Sequence, residues 1–447
     1  MGNLFGTDGV RGEANRELTP ILAFQLGRFG AHVLTEGTHK ARILIGMDTR
    51  LSGDMLEHAL VAGILSAGCD AICLGVTTTP AVAYLTRHYK ADAGVMISAS
   101  HNPAKDNGIK FFNSQGLKLS DAVEAQIEDF ILNQKDLPQV PGGTALGRCE
   151  KHREGNRIYS EYLKTTLDGD LSGLKIAMDC ANGAAYEIAP SLFRELGAEV
   201  TVTNNHPDGL NINSDCGSTH PDKVARLTRE VGAHIGLAFD GDADRLIAAD
   251  ENGRVIDGDR MMLICGTDLK NRGLLKGDTI VTTVMSNIGL DRAAQAHGIK
   301  TFPTKVGDRY VLEAMLRDGY ILGGEQSGHI IFLNHNTTGD GILSALQLAA
   351  IIKGQGKPLS ELADRMTQYP QILLNAKVQR GNKNGYLEDP VIAGRIREIE
   401  AAMEGEGRVL IRPSGTEPLV RVMLEGKDQA QLKAYASELV GLIEERL

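Results

Sequence analysis

Tryptophan is absent from this chain of 447 residues, and aromatic side chains of all kinds make up only 4% of it. Cysteine is sparse too: six residues, at 69, 73, 149, 180, 216 and 265, none in a Cys-x-x-Cys pair. That spacing argues against zinc and dithiol chemistry, and thiols scattered through apolar runs are expected to be reduced and buried, as in a cytoplasmic protein. No stretch approaches the ~20 apolar residues of a membrane span. The first residues show no basic segment leading into an apolar run, so no secretion signal is expected. Met1-Gly2-Asn3 opens like a myristoylation signal, but Gly6 stands where Ser or Thr is required. Positive charge is in deficit, with 47 Lys and Arg against 57 Asp and Glu and a net charge of −10. Without a basic stripe a general nucleic-acid surface is excluded, and any anionic ligand must find its cations locally. Neither Gly-x-Gly-x-x-Gly nor a Walker sequence occurs, so neither a dinucleotide nor an NTPase is indicated.

Glycine, by contrast, is abundant (52 residues), and 42% of the chain is hydrophobic, as expected of a soluble protein with many tight turns. The length is too great for one core. Short apolar strands alternate with helical stretches, a βαβ pattern. Expected strands are Arg42–Asp48, Asp70–Val76 and Ala93–Ile97; expected helices are 19–34, Gly53–Ala67, Pro80–Tyr89 and 120–132. After a Pro/Gly-rich break at Leu137–Gly147 the alternation restarts, with strands at Leu174–Asp179, Glu199–Asn204 and His234–Phe239 and helices at Ala184–Leu196 and Pro221–Val231. A third round from Arg254 has strands at Thr279–Met285, Ile299–Phe302 and Tyr320–Leu322, and its last helix is Ile342–Ile352. From Tyr369 the pattern changes to an α+β segment. We therefore expect an α/β protein of four domains, 1–152, 153–253, 254–368 and 369–447, the first three related and the last α+β.

Each α/β round ends in a strand that empties into a polar loop, where ligands of open α/β sheets bind. The first is Ser98-Ala99-Ser100-His101-Asn102-Pro103. The second, Asp240-Gly241-Asp242-Ala243-Asp244-Arg245, puts three carboxylates on one turn; at ~4 Å and an effective dielectric of ~20 each pair repels by about 4 kcal/mol. A bound cation relieves this, and oxygen ligands without His or Cys suggest Mg²⁺, with Ca²⁺ as competitor. An EF-hand is excluded because Arg245 occupies the position that requires Gly, between strands and not helices. A haloacid-dehalogenase-type loop, with Asp240 as phosphate acceptor, is a second alternative, though Asp244 replaces its usual Thr or Val. The third loop, Gly324-Glu325-Gln326-Ser327-Gly328-His329, offers the mixed donors and acceptors that sugar hydroxyls require. Two more loops, Phe5–Gly12 with Arg11 and Arg412–Pro418 with Arg421 beyond, combine cations with turn amides suited to phosphate.

These five loops, in this order, resemble those of the α-D-phosphohexomutases over the whole length from Phe5 to Leu447. Gln326 and the opening Phe-Gly-Thr-Asp-Gly-Val-Arg-Gly are similar to the glucosamine branch; glucose and mannose phosphates are the alternative substrates. The resemblance implies mixed sheets in three related domains around a central cleft. It implies a phosphoserine at Ser100 and one Mg²⁺, held by Asp240, Asp242, Asp244 and the phosphorylated Ser100. The reaction implied interconverts glucosamine 6-phosphate and glucosamine 1-phosphate through a 1,6-bisphosphate, glucosamine or glucose 1,6-bisphosphate serving as activator. That step lies on the route to UDP-N-acetylglucosamine and peptidoglycan. Arg245 is expected to add a cation, Lys110 or His329 to carry the proton, and a lysine so used needs a depressed pKa. Glu325 and Ser327 are expected to grip the ring, with Arg11, His101, Arg412, Ser414, Gly415, Thr416 and Arg421 on the phosphates. A homodimer and a mobile C-terminal domain are further expectations. A sugar-phosphate sensor without turnover is disfavoured, because binding alone needs neither Ser100 nor the acidic triad.

Overall fold

A computed structural model describes residues 4–6, 8–35, 40–379, 384–403, 405–413 and 418–447. They fall into two compact units, 1–285 with 299–364, and 286–298 with 365–447. Segment 286–298, expected in the third α/β domain, groups with the C-terminal residues. Asn287 shows why: its side chain donates to Glu425 Oε1 (3.0 Å) and to the Tyr369 carbonyl (2.9 Å).

The larger unit begins with β1 (Val10–Glu13), α1 (Pro20–Thr35), β2 (Arg42–Met47), α2 (Ser52–Ser66) and β3 (Asp70–Val76). It continues with α3 (Thr79–His88), β4 (Ala93–Ile97), β5 (Asp106–Asn113), α4 (Asp121–Leu132) and β6 (Cys149–Lys151). Strand order is β1-β5-β4-β2-β3-β6. The strands β4, β2, β3 and β6 run parallel, whereas β5 is antiparallel to β4 and β1 to β5. All five residues of β4 are buried, as a run of Ala, Gly, Val, Met and Ile demands between two helical layers. Part of the opening glycine-dense loop is thus a strand: Val10 pairs with Ile109, and a Cβ at Gly9 would lie 2.3 Å from the Ile109 carbonyl oxygen.

Next come α5 (Gly155–Lys164), β7 (Lys175–Asp179), α6 (Ile188–Glu195), β8 (Glu199–Thr203) and α7 (Asp222–Glu230). The strands β9 (Ile235–Phe239), β10 (Leu246–Asp250) and β11 (Val255–Ile256) complete a sheet ordered β11-β10-β9-β7-β8. Helix α6 starts later than its sequence pattern suggests, because the preceding turn is used elsewhere: the Ala184 N–H donates to the Gly241 carbonyl at 2.8 Å. The chain goes on through α8 (Gly258–Asn271), β12 (Thr279–Thr283), α9 (Ile288–Ala296), β13 (Lys300–Thr304) and α10 (Asp308–Asp318). After these come β14 (Leu322–Gly324), β15 (Ile330–Phe332), α11 (Gly341–Gln355) and α12 (Leu359–Ala363), with strand order β13-β12-β14-β15.

One device recurs in all three sheets. A parallel strand ends, the chain turns, and an antiparallel strand returns beside it: β4 to β5, β9 to β10, β14 to β15. The three turns are the serine, acidic and sugar loops.

The smaller unit contains α9, β16 (Gln371–Lys377), α13 (Pro390–Ala402), β17 (Arg408–Pro413), β18 (Leu419–Glu425) and α14 (Gln429–Arg446). Its sheet is antiparallel, ordered β16-β18-β17. Helix α14 buries Leu432, Ala436, Leu439 and Ile443, the 4-3-4 spacing of one helical face. Asp428 caps it, accepting from the N–H groups of Ala430 and Gln431. Among the described residues no helix is long and apolar enough to cross a membrane.

Candidate active site

The acidic loop joins Phe239 to Leu246, the first pair of the β9–β10 hairpin. Ala243 takes the left-handed conformation (φ 57°), rare without a glycine, and its carbonyl accepts from the Gly341 N–H (2.9 Å) at the start of α11. All three carboxylates are buried, with ligand oxygens within 4.8 Å of one another. Asp240 Oδ1 accepts from the Arg245 N–H (3.2 Å) and Asp242 Oδ2 from Thr79 Oγ1 (2.5 Å) and Lys110 Nζ (2.7 Å). Asp242 Oδ1 and Asp244 Oδ1 are buried without a hydrogen-bond partner. Two orphaned carboxylate oxygens in an all-oxygen cluster fit a hard divalent cation such as Mg²⁺.

Burial, with Asp244 and then Asp242, pushes the Asp240 carboxyl well above its ordinary range. The folded protein therefore holds that proton more tightly than the unfolded chain. In the metal-free protein this contribution is present at acid pH and is lost as pH rises out of the ordinary carboxylate range. A bound cation reverses the penalty. Melting curves in EDTA are expected to fall from pH 5 to pH 8 relative to an Asp240→Asn variant. At pH 8, Mg²⁺ at a hundred times its Kd restores about 2.7 kcal/mol. A wild-type melting temperature indifferent to Mg²⁺ would contradict the cation site.

Ser100 lies in the turn between β4 and β5, buried and left-handed (φ 52°). Its Oγ donates to Asp240 Oδ2 at 2.5 Å. The turn is held by Ser98 and by three residues that sequence reasoning missed, Asp48, Arg50 and Asn213. The Ser98 hydroxyl accepts from the Ser100 N–H (2.9 Å) and donates to Asp48 Oδ2 (2.6 Å). Arg50, fully buried, pairs with Asp48 (2.9 Å) and donates to the carbonyls of Ser100 (3.0 Å), Asn102 (2.8 Å) and Asp106 (3.0 Å). Asn213 Nδ2 donates to the Ser100 and Asn102 carbonyls at 2.8 and 3.0 Å. Gly241 is required by proximity: a Cβ there would lie 2.5 Å from the Ser100 carbonyl oxygen. His101 Nδ1 is 3.4 Å from Ser100 Oγ. Burial, then Arg245 and Arg11, lower its pKa to about 4, so the imidazole is neutral at pH 7.

Lys110, on β5, is 2% exposed and its Nζ lies 2.7 Å from Asp242, 3.1 Å from Asp8 and 3.7 Å from Asp244. Burial opposes its charge, but Asp242, Asp8 and Asp244 outweigh it and raise the pKa above the ordinary lysine value. The depressed pKa that would leave a lysine free to accept the first proton is not met: Lys110 is held charged and donates to Asp242. Arg11 pairs with Asp8. Arg245 Nε is 3.8 Å from Asp244 Oδ1, and burial of its guanidinium is outweighed by Asp244, Asp240 and Glu325.

The sugar loop is the β14–β15 turn, with the Gly328 N–H on the Glu325 carbonyl (3.0 Å) and the Leu246 N–H on the Gly328 carbonyl (3.1 Å). The last bond ties it to the strand that leaves the acidic loop. Glu325 Oε1 accepts from the Gly307 N–H (3.1 Å), and Ser327 is exposed. His329 is buried, Nε2 lying 3.4 Å from Asp308 Oδ2 and 3.9 Å from Asp244 Oδ2 but off the hydrogen-bond line, so neither ring nitrogen has a partner.

In the smaller unit Arg412 and Arg421 stand directly opposite each other on β17 and β18. Like charges paired across strands are destabilising. Burial, and then Arg421, lower the Arg412 pKa, and Arg412 Nε is buried without a partner. Such a pair suits a dianion. Ser414, Gly415 and Thr416 lie outside the described residues.

Comparison with known proteins agrees on a single family. Phosphoglucomutase/phosphomannomutase domain descriptions match residues 2–137 (domain I), 157–253 (domain II), 257–369 (domain III) and 373–442 (C-terminal domain). The chain is 60% identical over 447 residues to phosphoglucosamine mutase of Alkaliphilus metalliredigens, covering 100% of both. It is 61% identical over 448 residues to that of Alkaliphilus oremlandii, again covering 100% of both. A phosphoglucomutase/phosphomannomutase family protein from Burkholderia thailandensis shares its fold, with TM-score 0.80, 23% identity and 98% of each chain covered. So does Aspergillus fumigatus N-acetylphosphoglucosamine mutase, solved with GlcNAc-6P and magnesium (TM-score 0.71, 18% identity, 99% of this chain and 95% of that one).

Proposed function

The chain belongs to the phosphoglucomutase/phosphomannomutase family, and on that footing we propose that it is an isomerase interconverting glucosamine 6-phosphate and glucosamine 1-phosphate through a phosphoserine at Ser100. The observation that carries this reading is the Ser100 hydroxyl on Asp240, one of three buried carboxylates whose ligand oxygens lie within 4.8 Å of one another. Phosphoryl transfer needs positioning and charge neutralisation above all. Asp240, Asp242 and Asp244 would hold Mg²⁺, which neutralises charge on the transferring group. The Aspergillus relative solved with magnesium supports that choice.

In the first half-reaction the bond from phosphorus to Ser100 Oγ breaks and one to O1 of glucosamine 6-phosphate forms. The O1 proton goes to His329, whose ring nitrogens are uncommitted, and Lys110 protonates the departing Oγ. The 1,6-bisphosphate then reorients. In the second half-reaction Ser100 Oγ takes the phosphoryl group at O6, its proton returns to the Lys110 amine that the first half-reaction left neutral, and His329 protonates O6. Protons balance over the cycle. Arg245 adds positive charge beside the triad. Glu325 and Ser327 bind ring hydroxyls, and Arg11 and His101 line the serine loop. Asp240 itself is a poor candidate for phosphate acceptor, since both its oxygens are engaged, by Ser100 and by the Arg245 amide.

The four-domain division at 152, 253 and 368, a homodimer, a cytoplasmic location and activation by glucosamine or glucose 1,6-bisphosphate belong to the same reading. Its test is the ratio of kcat/KM for glucosamine 6-phosphate to that for glucose and mannose 6-phosphates. One or two polar contacts to the C2 amine are worth roughly ten- to a hundredfold in favour of glucosamine. Equal or inverted ratios would replace it by a glucose or mannose phosphate mutase.

A further inference from the structure

A ring of charge leads away from the acidic loop and comes back to it. Lys110 Nζ touches Asp242 and Asp8; Asp8 Oδ1 accepts from Lys118 Nζ; the same ammonium donates to Asp308 Oδ2. Asp308 Oδ2 lies 3.4 Å from His329 Nε2, which is 3.9 Å from Asp244. Lys118 thus stands between the two proton carriers, with one carboxylate on each side. Its side chain is 12% exposed, and those of Asp8 and Asp308 are 18% and 17% exposed.

The placement follows from local structure. After β5 the chain turns at Asn113, whose N–H donates to the Leu117 carbonyl (2.8 Å), so that Lys118 pairs with Phe112. Lys110 and Phe112 are two apart on one strand and share a face, and a cross-strand partner of Phe112 shares it too. Both lysines therefore point the same way from one hairpin. Asp308 opens α10, where the helix dipole favours a carboxylate, and the preceding Gly307 N–H is bonded to Glu325 of the sugar loop. The lysine-bearing hairpin and the histidine-bearing loop have no shared backbone; the Asp8–Lys118–Asp308 bridge joins them.

We propose that Lys118 is a positioning residue that sets the separation of Lys110 and His329 through Asp8 and Asp308. The proposal rests on the assignment of those two residues as proton carriers. In each half-reaction one carrier gives a proton while the other takes one, so a single fixed separation serves both orientations of the bisphosphate.

Lys118→Met is expected to lower kcat about a hundredfold in both directions, the cost of misplacing a reacting group by about 1 Å. KM for hexosamine phosphate and for Mg²⁺ is expected to stay within a small factor of wild type. Lys118→Arg, which keeps a cation between the two carboxylates, is expected to recover most of the loss. Asp308→Asn is expected to lower kcat likewise, and the double variant Lys118→Met/Asp308→Asn to be no slower than the slower single, because the two act as one unit. Wild-type kcat in Lys118→Met, additive losses in the double variant, or KM rising together with falling kcat would each overturn the proposal. If Lys118→Met does not fold, Asp308→Asn and Lys118→Arg decide it alone. Lys110→Met and His329→Ala are assayed alongside. Wild-type turnover in those two variants would sink the proton-carrier assignment, whereas loss there with none in Lys118→Met sinks only the bridge.

Discussion

Ser100→Ala is expected to lower kcat by at least ~10⁴-fold, the scale on which removing a covalent nucleophile acts. The variant keeps its fold. Alanine fits the same turn as serine, and the bonds that shape the turn run to the Ser100 amide and carbonyl and not to its hydroxyl. Circular dichroism and a melting curve close to wild type establish that the loss is chemical. Incubation with glucose 1,6-bisphosphate labelled in phosphorus is expected to mark the wild type and leave the variant unmarked. The label resists hydroxylamine, as a serine ester does and an acyl phosphate on Asp240 does not. Turnover within tenfold of wild type in Ser100→Ala would remove the phosphoserine from the mechanism.

Arg50→Met is expected to be the most damaging change outside the reacting groups. Arg50 and Asp48 are both fully buried, and removing one partner of a buried pair costs about 3–5 kcal/mol because the other charge is stranded. Four carbonyls of the serine turn, those of Ser100, Asn102, Pro103 and Asp106, also lose one of their donors, the first two keeping only Asn213. Urea unfolding followed by hydrogen exchange in the larger unit is expected to show that loss, with turnover falling alongside it. Arg50→Lys keeps the charge but not the planar fork, and is expected to fall between the two. Wild-type stability and turnover in Arg50→Met would show that the turn does not depend on this guanidinium.

The candidate reacting groups were legible in the sequence because each announces itself in a short stretch. Three alternating carboxylates after a buried strand cannot be neutral scenery, and they led to the metal site. Strands such as Asp70–Val76 and Ala93–Ile97 were legible from apolar runs alone. What escaped was the antiparallel return after the serine and sugar loops. Strand β5 opens on Asp106-Asn107-Gly108, and β15 has three residues, too few for periodicity to register. The supporting polar residues escaped for another reason. Asp48, Arg50, Asn213, Lys118 and Asp308 are separated in sequence and become a group only when the sheets are assembled. The one local signal for this group is Asp48-Thr49-Arg50, two opposite charges placed at the end of the apolar strand Arg42–Met47. The lowered pKa anticipated for a proton-accepting lysine was unreadable in principle, because the partners that raise it come from two other segments.

The bonding of the serine turn has one more consequence. Arg50, Asn213 and Ser98 grip peptide groups, and the Ser100 side chain takes no part in building its own support. The turn is a socket indifferent to its cargo. Loading Ser100 with a phosphoryl group adds about −1.5 to −2 of charge, yet removes none of these backbone bonds. The loaded and spent enzymes can therefore share one backbone, and the electrical difference between them falls on the side chains facing the hydroxyl, Asp240 and His101 first.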